Sequence, residues 1–337
     1  MGVRRAVEIA EKEAAKAADA TDKTVITDKT GAIDKTYNYN VYTLGPLIHN
    51  PKVLADLNSL GVKIIDDISL TNVKSSLPVP DCSLSAVIIR THGVHPDIED
   101  ELRRTGFSIV DATCPKVKQS QLKTQELTRD GIFLFLAGEE KHAEITGLFG
   151  FASHGYIELI DSRVKDDQSR IKDGQLYTKD NKFCVKDDQF CKVVGSTEEA
   201  QSAALALFNI NKNAKTALIG QTTISENEYA NIGIAIKKYF PSLTIVNSIC
   251  AATTERQNAL RELLPLVDAV IIAGGNESAN TRCLYSIAKE SGRPCVLAQS
   301  SLDVPLEFHK LNTIGICAGA STPDSVIDEI EKKLLGL

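Results

Sequence analysis

The feature that most constrains the fold of this chain is a series of short apolar runs separated by helical patterns. Strands that alternate with helices indicate βαβ units and largely parallel sheets. Because the strand, small-residue turn and helix recur, we expect an α/β protein of two or three related modules rather than a solenoid. The predicted strands are Val41–Leu44, Ala86–Ile89, Ile132–Ala137, Lys192–Val194, Thr216–Ile219, Thr244–Val246, Ala269–Ala273 and Thr313–Cys317.

Composition excludes several classes of protein. The 337 residues are 43% apolar, enough for two or three small α/β units. A net charge of -6 gives no basic surface for nucleic acid. No run approaches the roughly 18 apolar residues that cross a bilayer, and the first ten residues resemble neither a secretory nor a transit leader. We therefore expect a cytoplasmic protein whose partners include neither nucleic acid nor membrane.

Two short segments repeat one design, in which an apolar strand runs into a cysteine and then a helix. They are Ser108–Cys114 and Thr244–Cys250, each followed by a helical pattern. Backbone N–H groups and the helix dipole at such a turn favour the thiolate, which binds metal or attacks carbon. Cys114 and Cys250 are therefore candidate metal ligands or nucleophiles. The segment Met1–Ala10 is predicted to be the helix that follows a third such turn.

The other cysteines have simpler predicted roles. With eight cysteines scattered through a large chain, reduced thiols are expected. Cys82, Cys283 and Cys295 lie in or beside apolar or helical stretches and are predicted to pack in the core. Cys184 and Cys191 have a spacing that is weak evidence for zinc.

Three histidines fall in polar turns that follow predicted strands, where ligands bind in open α/β sheets. His49, His92 and His142 each offer a donor to an anion, although a structural role is the alternative for any one of them. Glu144 is a candidate proton donor or base, because a dry, anion-rich pocket raises the pKa of a carboxyl. Its alternative is an exposed helix start.

Two further turns suit phosphate. The segment from Ala269 to Asn280 runs a strand into a Gly-rich loop and a helix, with Ser278 and Asn280 as short donors. The segment from Ile314 to Asp324 repeats this arrangement with Ser321. For either turn taken alone, ordinary helix capping is the preferred explanation. Neither matches a Walker A loop or a dinucleotide fingerprint.

Two stretches, at about 19–40 and 161–190, are predicted inserts. Both are polar, mixed in charge and poor in large aliphatic side chains. Such compositions bury too little surface to build a core, so we expect solvated loops or short hairpins.

Eight ordered motifs resemble the iron–sulfur reductases of 4-hydroxy-3-methylbut-2-enyl diphosphate, the last enzymes of the non-mevalonate isoprenoid pathway. The resemblance runs from Gly2 to the C-terminus, interrupted by the inserts. It implies a trefoil of three pseudo-symmetric α/β modules around a central cluster and substrate site, here at 1–113, 114–249 and 250–337. The motifs are Gly-Pro-Leu-Ile-His49-Asn, Thr-His92-Gly-Val, Asp-Ala-Thr-Cys114-Pro, His142-x-Glu144, Gln-Thr222-Thr-x-Ser, Cys250-x-Ala-Thr-x-x-Arg-Gln, Asn-x-Ser278-x-Asn280 and Ala-Gly-Ala-Ser321-x-Pro.

The resemblance also implies roles for these residues. Cys114 and Cys250 would be ligands of a [4Fe-4S] cluster, Glu144 would deliver a proton, and Thr222 would support that relay and contact substrate. The product would be a mixture of isopentenyl and dimethylallyl diphosphates, with reduced ferredoxin or flavodoxin as the electron donor. The residues implied to grip the diphosphate are His49, His92, His142, Ser278, Asn280 and Ser321.

The beginning of the chain differs from the family pattern, in which a strand and Gly-Phe-Cys precede the first helix. Three explanations are open: a start assigned too late or a fragment, genuine loss of the ligand, or its replacement by another thiol, for which Cys317 is the candidate. Three functions follow: the reductase, a cluster-deficient binder of a prenyl diphosphate, and a thiol-dependent enzyme that uses Cys114 or Cys250.

Overall fold

The computed structural model describes residues 2–21, 25–27, 33–36, 39–65, 85–164, 170–172, 175–177 and 190–336. Cys82 and Cys184, with their predicted core and zinc roles, lie outside these residues. Ten helices are described: α1 Gly2–Thr21, α2 Pro51–Ser59, α3 Pro96–Arg104, α4 Pro115–Arg129, α5 Ala143–Val164, α6 Thr197–Ile210, α7 Glu226–Lys237, α8 Ala251–Leu263, α9 Ala279–Glu290 and α10 Asp324–Leu335.

The described part of the chain also holds fifteen strands, most of them short. They are β1 Val25–Thr27, β2 Ile33–Thr36, β3 Asn40–Leu44, β4 Val62–Ile65, β5 Ser85–Ile89, β6 Ser108–Asp111, β7 Phe133–Ala137, β8 Arg170–Lys172, β9 Gln175–Tyr177, β10 Cys191–Val194, β11 Thr216–Gly220, β12 Thr244–Ile245, β13 Ala269–Ala273, β14 Cys295–Ala298 and β15 Ile314–Ala318.

Three separate sheets are parallel throughout, which confirms the predicted α/β class. The first has the order β4-β3-β5-β6, the second β10-β7-β11-β12 and the third β14-β13-β15. One sheet falls in each predicted module, whose boundaries stay a prediction. Within the predicted inserts, β1 pairs with β2 and β8 with β9 as short antiparallel strands.

By its backbone contacts the chain divides into two compact units. Unit 1 comprises Met1–Gly93, Ile98–Cys114 and Cys250–Leu337, and unit 2 comprises Val94–Asp97 and Pro115–Ile249. Unit 1 therefore contains the first and third sheets, and unit 2 contains the second.

The core of unit 1 covers its sheets with helices. The alanines of α1 repeat every four residues and place Ala6, Ala10 and Ala14 in one cluster with Val41 and Ile88 of the first sheet. In the third sheet alternate residues of β13 enter two different clusters, because successive strand side chains point to opposite faces. The helix predicted over Met1–Ala10 is confirmed as the start of α1.

The core of unit 2 follows the same logic. In β7, Phe135 and Ala137 belong to one cluster, while Leu134 and Leu136 belong to the other. Strands β7 and β11 are buried along almost their whole length, as expected for central strands of a parallel sheet with helices on both faces. Cys191 is buried in one of these clusters.

Two strands of the three parallel sheets, β4 and β14, were not predicted. In β4, Lys63 and Ile64 are exposed, so the strand shows no continuous apolar run. Strand β14 is half-buried at an edge of the third sheet. Both are edge strands, whose pattern carries a weaker signal than that of a central strand. None of the described helices is both long enough and apolar enough to cross a membrane.

Helices α4 and α5 approach each other closely at Gly155. A Cβ at this position would lie 2.1 Å from the carbonyl oxygen of Gln125 and 2.3 Å from Oγ1 of Thr128. We expect Gly155→Ala to lower the free energy of unfolding by about 1–3 kcal/mol, the usual cost of overpacking. Urea denaturation measures this loss. Ser202→Ala, on an exposed helical surface, is the control and should change stability by less than about 0.5 kcal/mol. An unchanged midpoint for Gly155→Ala would contradict the close packing.

Candidate active site

Two polar turns of unit 1 meet at the carboxyl ends of β3 and β5. These strands are neighbours in the first sheet, and both the N–H and the hydroxyl of Thr91 donate to the carbonyl oxygen of Leu47 at 3.5 and 3.2 Å. The turns thereby place the rings of His49 and His92 with centroids 4.9 Å apart. The predicted residues His49 and His92 are thus brought together.

The turn after β13 packs against the same histidine turn. A Cβ at Gly275 would lie 2.6 Å from the carbonyl oxygen of His49, so only glycine allows this approach. Ser278 accepts a hydrogen bond from the N–H of Thr281 at 3.3 Å and caps α9. Ser278 is therefore a helix cap, as the alternative explanation predicted. It belongs to the turn that packs against the His49 turn.

Asn280 and Ser321 are buried without hydrogen-bond partners among the described residues. This applies to both Oδ1 and Nδ2 of Asn280 and to Oγ of Ser321. The turn after β15 also packs on α9, since a Cβ at Gly319 would lie 2.2 Å from Oγ1 of Thr281. A buried polar group without a partner costs about 1–3 kcal/mol. Such groups are typical of a site that a polar ligand completes.

The two predicted cysteines belong to unit 1, and each lies directly before the first residue of a helix. The N–H of Cys114 donates to the carbonyl oxygen of Thr91 at 2.9 Å, which ties Cys114 to the turn that carries His92. Its sulfur contacts the start of α1, because a Cβ at Gly2 would lie 2.6 Å from Sγ. Cys250 is the N-cap of α8 and its side chain makes no capping hydrogen bond.

Both cysteines are free thiols and half-buried, and each directly precedes the first residue of a helix. Thiolates are the ligands of iron–sulfur clusters. The free thiols of these two cysteines are therefore of the type that binds an iron–sulfur cluster.

Cys283, Cys295 and Cys317 contact another part of unit 1. All three are partly buried against the cluster of apolar residues from α8, β13 and α9, so the predicted packing role of Cys283 and Cys295 is confirmed. Burial raises the pKa of the Cys317 thiol, and Arg256 opposes this shift. Its recruitment as a third ligand stays a prediction.

In unit 2, Glu144 and Thr222 lie close together after β7 and β11, two neighbouring strands of the second sheet. Glu144 is only 1% exposed at the start of α5. The N–H of Thr222 donates to its Oε1 at 2.8 Å and the Thr222 hydroxyl donates to its Oε2 at 3.0 Å. Burial raises the pKa of Glu144 to about 7, and the two hydrogen bonds from Thr222 lower it less. The carboxyl can therefore hold a proton near neutral pH, and the exposed helix start is excluded.

His142 is held by the turn that begins α5. The N–H of Glu144 donates to its Nδ1 at 3.2 Å, so a neutral imidazole carries its proton on Nε2. Gln221, which sequence reasoning did not single out, organises this turn. Its Oε1 accepts from the N–H of Glu139 at 3.1 Å and its own N–H donates to the carbonyl oxygen of Ala137 at 2.7 Å. The signal that points to Gln221 is its position before Thr222.

The electrostatics of His49 favour its neutral form. Burial lowers its pKa most, Arg90 and Arg282 lower it further, and Glu277 opposes them. Arg90 is a second residue that sequence reasoning missed, although it directly follows a buried strand and lies two residues before His92.

A model of the LytB protein family matches residues 1–335. The 4-hydroxy-3-methylbut-2-enyl diphosphate reductase of Treponema pallidum strain Nichols is 37% identical over 88% of this chain and 75% of that protein. Proteins of the same name from Treponema denticola and Aquifex aeolicus are 35% and 32% identical, over 88% and 87% of this chain and 87% and 85% of their own length.

Solved structures show the same fold. The E-1-hydroxy-2-methyl-but-2-enyl-4-diphosphate reductase from Plasmodium falciparum superposes with a TM-score of 0.72 at 23% identity, over 100% of this chain and 84% of that one. A structure described as (E)-4-hydroxy-3-methyl-but-2-enyl diphosphate reductase, the terminal enzyme of the non-mevalonate pathway, gives 0.57 at 29% identity, over 100% and 95%. These likenesses confirm the three-module α/β fold. Because the family match spans nearly the whole chain, the chain belongs to the LytB protein family.

Proposed function

We propose that this chain is an oxidoreductase that converts 4-hydroxy-3-methylbut-2-enyl diphosphate to isopentenyl and dimethylallyl diphosphates. The observation that carries the proposal is the buried Glu144 carboxyl, whose pKa of about 7 suits a proton donor. The names of its relatives support the same reaction. The substrate gains two electrons and two protons and loses its hydroxyl group as water.

Unit 1 supplies the anion-binding residues in this proposal. The side chains of His49, His92, Ser278, Asn280 and Ser321 would donate hydrogen bonds to the diphosphate. The unpartnered Asn280 and Ser321 side chains support this, because a phosphate oxygen accepts from both a hydroxyl and an amide. His142 would donate to a diphosphate through the proton on Nε2.

Cys114 and Cys250 would hold a [4Fe-4S] cluster, which would supply Lewis acidity and electrons for removal of the allylic hydroxyl. Glu144 would give its proton to the substrate, and Thr222 would hold the carboxyl in one orientation through its two hydrogen bonds. Burial of Glu144 also keeps water from competing for that proton. Electrons would come from reduced ferredoxin or flavodoxin.

Anaerobic reconstitution with iron and sulfide, followed by turnover with a reduced dye as electron donor, tests the function. Both prenyl diphosphates should form from the hydroxylated substrate, with about four irons bound per chain. Iron-loaded protein that binds the substrate without forming either product would refute the reductase and favour the diphosphate binder.

Replacing Asn280 tests the anion site independently of turnover. We expect Asn280→Ala to weaken binding of inorganic pyrophosphate by about 5- to 100-fold, since a lost hydrogen bond to a charged group is worth roughly 1–3 kcal/mol. Isothermal titration calorimetry measures the affinity. Asn258→Ala, at an exposed position of α8, should leave it unchanged. Equal affinities for the two variants would place the anion elsewhere.

A further inference from the structure

Arg90 carries a partly buried charge that no described acidic side chain neutralises. It directly follows β5, and its Nε is buried without a hydrogen-bond partner among the described residues. Within the described part of the chain no carboxylate forms an ion pair with it. Burial lowers the pKa of its guanidinium, with no neighbouring charge opposing that shift. A charged group in this position is costly for the ligand-free protein unless an anion compensates it.

Gly45 keeps open the space that Arg90 occupies. The backbone of Gly45 has φ of 68°, in the left-handed region that favours glycine. A Cβ there would lie 2.7 Å from Nη1 of Arg90, which is shorter than ordinary packing allows. The left-handed backbone strains any residue other than glycine, and a Cβ here would also push the guanidinium of Arg90 out of its place.

The positive charge acts on the anion-binding turns. After burial, Arg90 is the largest influence that lowers the pKa of His49. Thr91, the next residue, joins this turn to the His49 turn through the carbonyl oxygen of Leu47. The charge thus lies in the cluster of turns that also holds His92.

We propose that Arg90 is an additional anion-binding residue of this site, whose partly buried guanidinium, placed beside Gly45, supplies the positive charge that the diphosphate group neutralises. This inference rests on the proposed function, because it takes the ligand to be a diphosphate. Arginine suits the task since it stays charged when buried and its planar fork matches phosphate oxygens. It gives a reason for a partly buried charge with no carboxylate partner among the described residues.

The first test compares Arg90→Gln with the wild-type chain. Calorimetry with inorganic pyrophosphate should show at least about a tenfold weaker affinity. The melting temperature without pyrophosphate should stay the same or rise, since the variant no longer buries a charge. Arg90→Lys should recover part of the affinity. Arg103→Gln removes the same charge from an exposed position of unit 1, where Arg103 pairs with Glu99, and should bind pyrophosphate like the wild type.

A purely structural Arg90 gives a different pattern. In that case the melting temperature of Arg90→Gln falls in the absence of pyrophosphate while the affinity of the folded protein is unchanged, and the inference is overturned. In steady-state turnover we expect the KM to rise and kcat to change little. Full pyrophosphate affinity in Arg90→Gln leaves the proposed function intact and removes only the role of Arg90. Absence of pyrophosphate binding by the wild-type chain removes both.

A double-mutant cycle tests whether Gly45 acts through Arg90. Gly45→Ala should weaken pyrophosphate binding about tenfold in the wild-type background and less than about twofold in Arg90→Gln. The backbone strain that Gly45→Ala introduces is the same in both backgrounds, so it cancels when the two losses of affinity are compared. Equal losses in the two backgrounds would show that Gly45 does not place the guanidinium.

Discussion

Glu144→Gln is expected to lower turnover by about 10²- to 10⁴-fold, the range that a positioned general acid contributes. Glutamine keeps the shape of the side chain and can still accept the hydrogen bond from the N–H of Thr222, but it has no proton to transfer. Pyrophosphate affinity should be retained, because the residues proposed to bind the anion are unchanged. Stopped-flow or steady-state assays of the reconstituted protein measure the rate. A variant that keeps more than about a tenth of the wild-type rate would rule out Glu144 as the acid.

The pH dependence of the wild-type rate should also report proton donation by Glu144. A carboxyl with a pKa of about 7 is protonated below neutrality, so the rate should fall as the pH rises through about 7. This fall in rate with rising pH should be absent from the residual rate of Glu144→Gln. The Thr222 hydroxyl lowers the pKa of Glu144 by donating to Oε2. Thr222→Val should therefore move the fall in rate to higher pH.

Stability should respond to pH through the same carboxyl. Its pKa is raised from 4.5 in the unfolded chain to about 7 in the folded protein. The folded state therefore binds more protons in that window, and its stability falls as the pH rises through it. The shift corresponds to a loss on the order of 3 kcal/mol by pH 8. The difference between wild type and Glu144→Gln in urea denaturation across this range isolates the effect from the histidines.

Loss of either cysteine ligand is expected to abolish turnover through loss of iron. We expect Cys114→Ser and Cys250→Ser each to retain less than about a tenth of the iron of the reconstituted wild-type chain, since even outer-shell changes cost 10- to 100-fold in metal affinity. Colorimetric iron counting and the visible absorbance of the cluster measure the loss.

The control for the cysteine variants is Cys295→Ala. Cys295 is a partly buried thiol packed on the core of unit 1, at the edge strand β14, so its replacement should leave the iron content unchanged. Full iron content in either serine variant would mean that the thiol is not a ligand. Full activity in both serine variants would also exclude a thiol-dependent enzyme.

Much of the fold was predictable because the central strands are continuous apolar runs. β7, β11 and β13 are almost entirely buried, and both of their faces need apolar side chains. The edge strands β4 and β14 escaped prediction because one face or half of the strand meets solvent. They form strands because they pair with a neighbouring strand of the sheet, and their own residue pattern does not predict this.

The candidate site was predictable only in its residue types. Cys114, Cys250 and His49 were recognisable from their turns, because the chemistry of a turn after a strand is local. The environment of Glu144 was not local, since its partner Thr222 lies 78 residues away and is brought near by the pairing of β7 with β11. Arg90 was overlooked because an arginine after a strand is ordinary until its burial is known.

The sequence by itself determined the α/β class, the central strands and which side chains can bind anion, iron or proton. These follow from periodicity and from functional groups, which are properties of neighbouring residues. Only the tertiary structure decided the raised pKa of Glu144 and, among the described residues, the lack of hydrogen-bond partners for the side chain of Asn280 and for Nε of Arg90. Burial and hydrogen bonding depend on segments distant along the chain, so they are set when those segments pack together.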